Sequence, residues 1–310
     1  MTSPATPPAA PQGSFQEHVL RFGQWNTLAG VVTEPVTPTD GEAAPPDVLF
    51  LNSGLLHHVG PHRLHVQLAR ALAPHGVRSL RFDVSGIGDS GLRRDRMGRD
   101  DAMVAETREA MDQLAAAHGS QRFVLFGICT GADQAVRTAL ADPRVVGAVL
   151  VDGYAYTTAG HYLHYYAGRF FSPRSWWNVL SLQHPGYARL LARLRHQRPA
   201  PTDTPEERVV PRPGIYARPP REEAEQRLRT LVGRDCELCF VFTPSTRYSH
   251  AGQFQTMFPS IGDDARVKVE FLESANHVFT LLASQAAVRG AVERWMGARF
   301  LGSPVGAPHA

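Results

Sequence analysis

The stretch Arg122-Phe123-Val124-Leu125-Phe126-Gly127-Ile128-Cys129-Thr130-Gly131-Ala132 decides how the chain is read. Arg122 to Phe126 is a short apolar run of buried-strand type, and Ala132 to Ala141 beyond it reads as a helix. Between strand and helix stands Gly-x-Cys-x-Gly, the spacing of a nucleophile carried on a sharp turn. Gly127 and Gly131 belong to that turn because a side chain two residues either side of the nucleophile would collide with the neighbouring strand and helix. The turn also sets Cys129 at a helix N-terminus, where the partial positive charge favours thiolate over thiol. The plainer alternative is a small buried cysteine beside two unrelated glycines; the elements on either side weigh against it.

Upstream, Gly13 to Pro35 alternates apolar and polar residues around Gly23-Gln24-Trp25-Asn26, as a hairpin does, and Val36 to Pro46 reads as a linker. Val48 to Asn52 predicts a buried strand, and Pro61 to His75 carries Leu64, Leu68, Ala71 and Leu72 at helical spacing until Gly76 stops it. Val77 to Asp83 is the next strand, and Asp100 to His118 a helix with Met103, Thr107, Ala110, Met111 and Leu114 on one face. Downstream, Val145 to Val151 is another apolar strand, ending at Asp152. The alternation implies a mostly parallel sheet flanked by helices, an α/β fold. From Tyr154 the chain turns aromatic and then Pro-rich, which reads as a helical lid over 154–233; Leu238 to Phe242, Val267 to Leu272 and a closing helix from Ala286 to Phe300 complete the core. The expected organisation is a core of 13–153 and 234–300, the lid between, and tails at 1–12 and 301–310.

A chain of 310 residues with 43% hydrophobic and 20% charged side chains has ample material for a full core, which excludes disorder as a general description. The net charge of +3 is spread without a basic block, so no nucleic-acid partner is expected. Met1 to Gln12 lacks the basic start and apolar stretch of a secretory signal, and no apolar run approaches the length of a membrane span. A cytoplasmic location is expected, where three cysteines stay reduced.

Two amides are expected to hold a developing oxyanion: that of Thr130, after the nucleophile, and that of Leu55 in Asn52-Ser53-Gly54-Leu55-Leu56, where Gly54 allows close approach to the substrate. A histidine base belongs after the last strand, and Glu273-Ser274-Ala275-Asn276-His277 puts His277 there. Cys236 and Cys239 have redox or half-zinc spacing, but a strand points them to opposite faces, so they read as structural. His57, His58, His62 and His65 cluster beside the oxyanion loop, and His58, His62 and His65 share helix-like spacing; with no acidic or thiol ligand near them in sequence, no metal is expected. Asp133 reads as a first-turn charge favoured by the helix dipole, and His161 and His164 as lid residues that face the cavity.

From about Phe15 to Phe300 the chain resembles α/β-hydrolase-fold enzymes, and Arg81-Phe82-Asp83-Val84-Ser85-Gly86-Ile87-Gly88-Asp89-Ser90 is similar to their Asp-x-x-Gly-x-Gly-x-Ser turn. More narrowly, Asn52 to Gly60, that turn and a cysteine in the elbow resemble hydrolases of bacterial exopolysaccharide and exosortase loci. The resemblance implies a triad acid after the strand that follows the lid, yet Thr243-Pro244-Ser245-Thr246-Arg247-Tyr248-Ser249-His250 holds no carboxylate. Some members of the fold carry the acid one strand earlier, where Asp152 stands; the alternative is an Asp that caps a turn before Gly153. A Cys-His pair is less dependent on an acid than Ser-His, so a dyad and a Cys129-His277-Asp152 triad both fit.

The resulting expectation is an acyl-transfer enzyme without a cofactor, a thioesterase- or esterase-like hydrolase or an acyltransferase. Its small-molecule acyl substrate would be an ester or thioester, of the kind carried on CoA or a carrier protein. A lyase or cyclase that uses the pocket without acylation, and a binding protein that has lost the chemistry, are the rival expectations.

Overall fold

The structure, a computed structural model, describes residues 15–36, 44–158, 219–245 and 247–302. The strand β1 (Phe15–Phe22) pairs antiparallel with β2 (Leu28–Pro35) through a turn that Asn26 N–H closes onto Gly23 O at 2.9 Å. Then come β3 (Asp47–Phe50), α1 (Leu64–Leu72), β4 (Ser79–Asp83), α2 (Arg99–His118), β5 (Phe123–Ile128), α3 (Thr130–Ala141) and β6 (Val145–Val151). Beyond residue 218 follow α4 (Arg221–Val232), β7 (Glu237–Phe242), α5 (Gln253–Met257), β8 (Val267–Phe271) and α6 (Leu282–Phe300). The strands form one sheet in the order β1-β2-β4-β3-β5-β6-β7-β8, with β2 antiparallel to both its neighbours and β3 to β8 parallel.

Unbroken apolar strands are what a parallel sheet covered on both faces requires. Leu49, Leu80, Leu125, Leu150 and Phe240 pack on one side with Met111 and Leu114 of α2, Ala135 and Val136 of α3, and Leu228 and Leu231 of α4. Phe50, Val124, Phe126, Val149 and Val241 pack on the other with Leu64 and Leu68 of α1 and Val288, Val292 and Trp295 of α6. Cys236 joins the first cluster and Cys239 the second, so the two thiols do lie toward opposite faces. Truncating a side chain such as Leu125 to alanine removes roughly 2–5 kcal/mol at a site of this kind.

Several elements differ from expectation. The helix read over Pro61 to His75 starts only at Leu64, because His62 (φ 48°) and Arg63 (φ 62°) are left-handed, so His58, His62 and His65 do not share a helical face. The closing helix starts at Leu282 rather than Ala286; its first turn buries Ser284 and Gln285, whose polarity hides the apolar periodicity. Gln285 Nε2 donates to Phe279 O at 3.0 Å, which makes its burial tolerable. On α2, Glu106 is buried where Met103 is only partly so, since the Glu106 carboxylate accepts Ser85 N–H and Arg93 Nη1–H. The five-residue α5 was not anticipated, being too short to show a helical period. Of the segment read as a lid, 159–218, with His161 and His164, lies outside the described residues, and α4 packs on α3 and β7. Among the described residues no helix is long and apolar enough to cross a membrane.

Candidate active site

The parallel strands end together at one edge of the sheet, and the turns leaving β3, β5, β6 and β8 bring their side chains to it. Cys129 sits between β5 and α3 at φ 57°, ψ −112°, a conformation that costs a non-glycine residue about 1–3 kcal/mol and persists only when its surroundings enforce it. A Cβ on Gly127 would lie 2.1 Å from Gly131 O, and one on Gly131 would lie 2.8 Å from Asn52 O, so both positions exclude any side chain. Cys129 N–H donates to Val151 O at 2.9 Å, and the thiol is partly exposed rather than a buried core group.

His277, after β8, directs Nδ1 at Asp152 Oδ2 over 2.8 Å. Asp152 follows β6, and its N–H donates to Val241 O of β7 at 2.9 Å. Thr243, after β7, donates its N–H to Asp152 Oδ1 and its hydroxyl to Oδ2, each at 2.7 Å. The Asp152 carboxylate, 8% exposed, thus faces the histidine with both oxygens engaged. The hydrogen bond to Asp152 and then one with Cys129 raise the His277 pKa to about 10 against the opposing effect of burial. The loop that presents His277 is braced by Asn276, whose Oδ1 accepts Thr280 N–H at 3.0 Å, and by the buried Phe279 ring. Sequence reasoning missed Thr243; a hydroxyl residue where a carboxylate was sought was its only signal.

The loop after β3 faces Cys129 from the other side. Gly54, at φ 60°, donates its N–H to Thr130 Oγ1 at 2.8 Å, and Leu56 N–H donates to Ser53 O at 3.0 Å. The Leu55 amide between them is committed to neither bond, and its side chain is exposed. Thr130 is the first residue of α3, so its amide has no partner within the helix. Asn52 Nδ2 donates to Leu56 O and to Asp83 Oδ1, while Asn52 Oδ1 accepts Val84 N–H, tying this loop to the end of β4. The hydroxyl of Thr130 as an anchor for the loop is a second feature not read from the sequence.

His57 and His58 continue that loop, and here the sequence gives an incomplete picture of their neighbours. Because β3 and β4 are adjacent, Asp83 and Asp89 come beside them although no acidic residue is near in sequence. His58 Nδ1 lies 2.7 Å from Asp83 Oδ2, and His57 Nε2 lies 3.0 Å from Asp89 Oδ2. Burial opposes the charge on Asp83, but hydrogen bonds from His58, Asn52 and Asp89 N–H hold its pKa below the ordinary value. His65 is turned into the core, stacked on Phe50, and burial lowers its pKa to about 4. Asp133 stands in the first turn of α3, as read, and is also buried, accepting the Tyr154 hydroxyl at 2.7 Å and pairing with Arg137 and Arg227. Burial pushes the Cys236 and Cys239 thiols up to about 12.

A sheet of this order, a side chain on a strained turn after β5 and a histidine after the last strand together define the α/β-hydrolase fold. The chain is an α/β-hydrolase-fold protein. Residues 43–169 match the family described as serine aminopeptidase, S33, although the elbow position in this chain is Cys129. The chain is also similar to an esterase from Pyrococcus furiosus, at 15% identity and TM-score 0.53, with 92% of each chain covered. An esterase domain from Rhodothermus marinus aligns at 17% identity and TM-score 0.50, over 93% of this chain and all of the other. A hypothetical protein from Pseudomonas aeruginosa aligns at 14% identity and TM-score 0.50, over 91% of this chain and 93% of that one. Comparison with curated proteins gives no match.

Proposed function

We propose that the protein is an acyl-transfer enzyme in which Cys129 is the nucleophile, His277 its acid-base partner and Asp152 the group that orients and charges the histidine. The observation that carries this reading is the continuous line of contacts from Cys129 through His277 to Asp152, with the nucleophile position on a strained elbow. Its esterase-fold neighbours and the hydrolase family match are in keeping with ester or thioester substrates.

Cys129 Sγ attacks the acyl carbonyl carbon; an S–C bond forms, the thiol proton rests on His277, and the carbonyl electron pair moves onto oxygen. The amides of Leu55 and Thr130 receive that oxyanion. The intermediate collapses, the bond to the alcohol or thiol breaks, and His277 returns the proton to the leaving group. Water or a second acceptor then loses its proton to His277, attacks the thioester carbonyl and displaces the Cys129 thiolate. Thiolates are good leaving groups, which favours esters and thioesters, including those of CoA or a carrier protein, over amides. Thioesters also resist water better than they resist amines or thiols, so transfer to an acceptor other than water is the variant that a cysteine in place of serine favours.

Intact-mass spectrometry of wild type and Cys129→Ala after exposure to acyl thioesters and esters tests the reading. An acyl adduct mapped to Cys129, absent from the variant, is expected. Turnover undiminished in Cys129→Ala refutes it.

A further inference from the structure

We propose that His57, His58, Asp83 and Asp89 form a binding site for one divalent cation of the zinc class, which fastens the loop after β3 to the turn after β4. The four residues come from two segments joined only by tertiary structure, and their ligand atoms all lie within 4.8 Å of one another. His57 Nε2 is 3.0 Å from Asp89 Oδ2 and 3.4 Å from Asp83 Oδ2, and His58 Nδ1 is 2.7 Å from Asp83 Oδ2. A tetrahedral zinc with ligands at about 2.0–2.2 Å has edges of roughly 3.3 Å, so three edges already approach the required shape.

The donor set identifies the cation. Two imidazoles suit zinc, copper, iron or nickel more than calcium or magnesium, which prefer six or more oxygens. Two carboxylates with two neutral imidazoles carry a formal charge of −2 and offset a divalent ion. Four protein ligands make a closed, structural site rather than a catalytic one with an open position.

The site also has a fixed half and an entry. Asp83 and His58 are buried, and Asp83 is oriented by Asn52 Nδ2–H and by the His58 and Asp89 backbone amides at 2.8, 2.7 and 3.1 Å. Such outer contacts are what hold a metal-ligating carboxylate in place. Gly88, at φ 50°, carries the turn around this carboxylate: a Cβ there would lie 2.2 Å from Asp83 Oδ2 and 2.7 Å from His57 Cδ2. His57 and Asp89, in contrast, are reached from solvent.

Ligation fixes the tautomer of both histidines. His57 binding through Nε2 places its proton on Nδ1 and gives up the long 3.3 Å bond that Val59 N–H donates there. His58 binding through Nδ1 moves its proton to Nε2, and the cation replaces its hydrogen bond to Asp83. Because Asn52 and Leu56 belong to the same loop, the cation would brace the Leu55 amide without touching the reacting atoms.

The test uses the full chain, stripped with a chelator and titrated with Co2+ and with Zn2+ against a chromophoric chelator. A Cys129→Ser background removes a competing thiolate-imidazole ligand pair. One ion per chain is expected, with visible cobalt d–d bands of tetrahedral type and a rise in Tm on zinc binding. The changes His57→Ala, at a half-buried position, and Asp89→Asn, at an exposed one, are each expected to weaken binding at least about tenfold, the lower bound even for outer-contact losses. Circular dichroism of each variant checks that it is folded, and Asp83 is left intact because it holds the loop. Absence of metal binding, or binding unchanged in both His57→Ala and Asp89→Asn, overturns the proposal. Either result leaves the Cys129 chemistry untouched, since acylation is scored separately by mass.

Discussion

Replacing Asp152 by asparagine tests whether the carboxylate sets the charge of His277. The side chain keeps its size, and an amide oxygen placed at Oδ1 can still accept Thr243 N–H, so the loops ending β6 and β7 stay connected. At the other position an NH2 group replaces Oδ2, which now accepts the Thr243 hydroxyl and faces His277 Nδ1 at 2.8 Å. An NH2 group donates to Nδ1, so the neutral ring carries its proton on Nε2, the nitrogen left for Cys129. That is the wrong tautomer for accepting the thiol proton.

The hydrogen bond to Asp152 is the largest of the influences that lift His277 from 6.5 to about 10. Its loss is expected to reduce the proton affinity of the ring by at least about tenfold, the factor that corresponds to one pKa step. In a serine triad the same change costs on the order of 10^4 in kcat through that wrong tautomer. With a thiol that can transfer its proton before substrate arrives, a loss nearer 10–100-fold is expected.

The assay needs no substrate: the rate of alkylation of Cys129 by iodoacetamide, followed by intact mass across pH. Cys236 and Cys239 stay silent because both are buried and their thiols are pushed up to about 12. Wild type is expected to react across the neutral range with little pH dependence, and Asp152→Asn to show a rate that climbs with pH. Superimposable pH profiles for the two proteins would refute the role given to Asp152.

Thr130→Val removes the acceptor for Gly54 N–H, and acylation is expected to slow about ten- to a hundredfold, as a lost bond of about 1–3 kcal/mol implies, with Thr130→Ser restoring it. A similar rate in valine and serine variants would show that the bond does not position the loop. Gly131→Ala forces a methyl to within 2.8 Å of Asn52 O, so the loop must move, and a fall in Tm with at least about a hundredfold loss of acylation is expected, measured by thermal melt and mass kinetics. A folded-state pKa of about 10 for His277 against an ordinary 6.5 gives stability that is complete below pH 6.5 and declines as pH rises toward 10. Urea denaturation is therefore expected to show wild type losing its advantage over Asp152→Asn across that window, by less than the full linkage value because the ring is half-exposed.

The apolar runs of β5, β6 and β7 announce their burial because both sheet faces are covered, and a two-sided core leaves little room for another pattern. Gly127 and Gly131 were legible for a similar reason: the packing leaves no space for a Cβ, and only one residue type meets that demand. His277 was legible by order alone. What escaped notice depends on hydroxyls and carboxylates whose partners are distant in the chain. Thr130 Oγ1 serves Gly54, 76 positions away, and Thr243 serves Asp152, 91 positions away; threonine has no spacing that marks such a role. Asp83 belongs to a recognisable turn, yet its approach to His58 follows from the pairing of β3 with β4.

The place of the acid follows from strand register. β6 and β7 run parallel with Val151 opposite Val241, so the residues immediately beyond both strands emerge at one level of the sheet. A carboxylate from either end can therefore approach the same histidine nitrogen. In this chain the end of β6 supplies Asp152, and the end of β7 supplies Thr243, whose amide and hydroxyl both point at that carboxylate. The strand end without a carboxylate thus supports the one on its neighbour, and the two positions are in contact. Moving the acid by Asp152→Asn with Thr243→Asp is accordingly expected to recover part of the alkylation profile lost in Asp152→Asn alone. No recovery in a folded double variant would mean that register alone does not decide where the acid can stand.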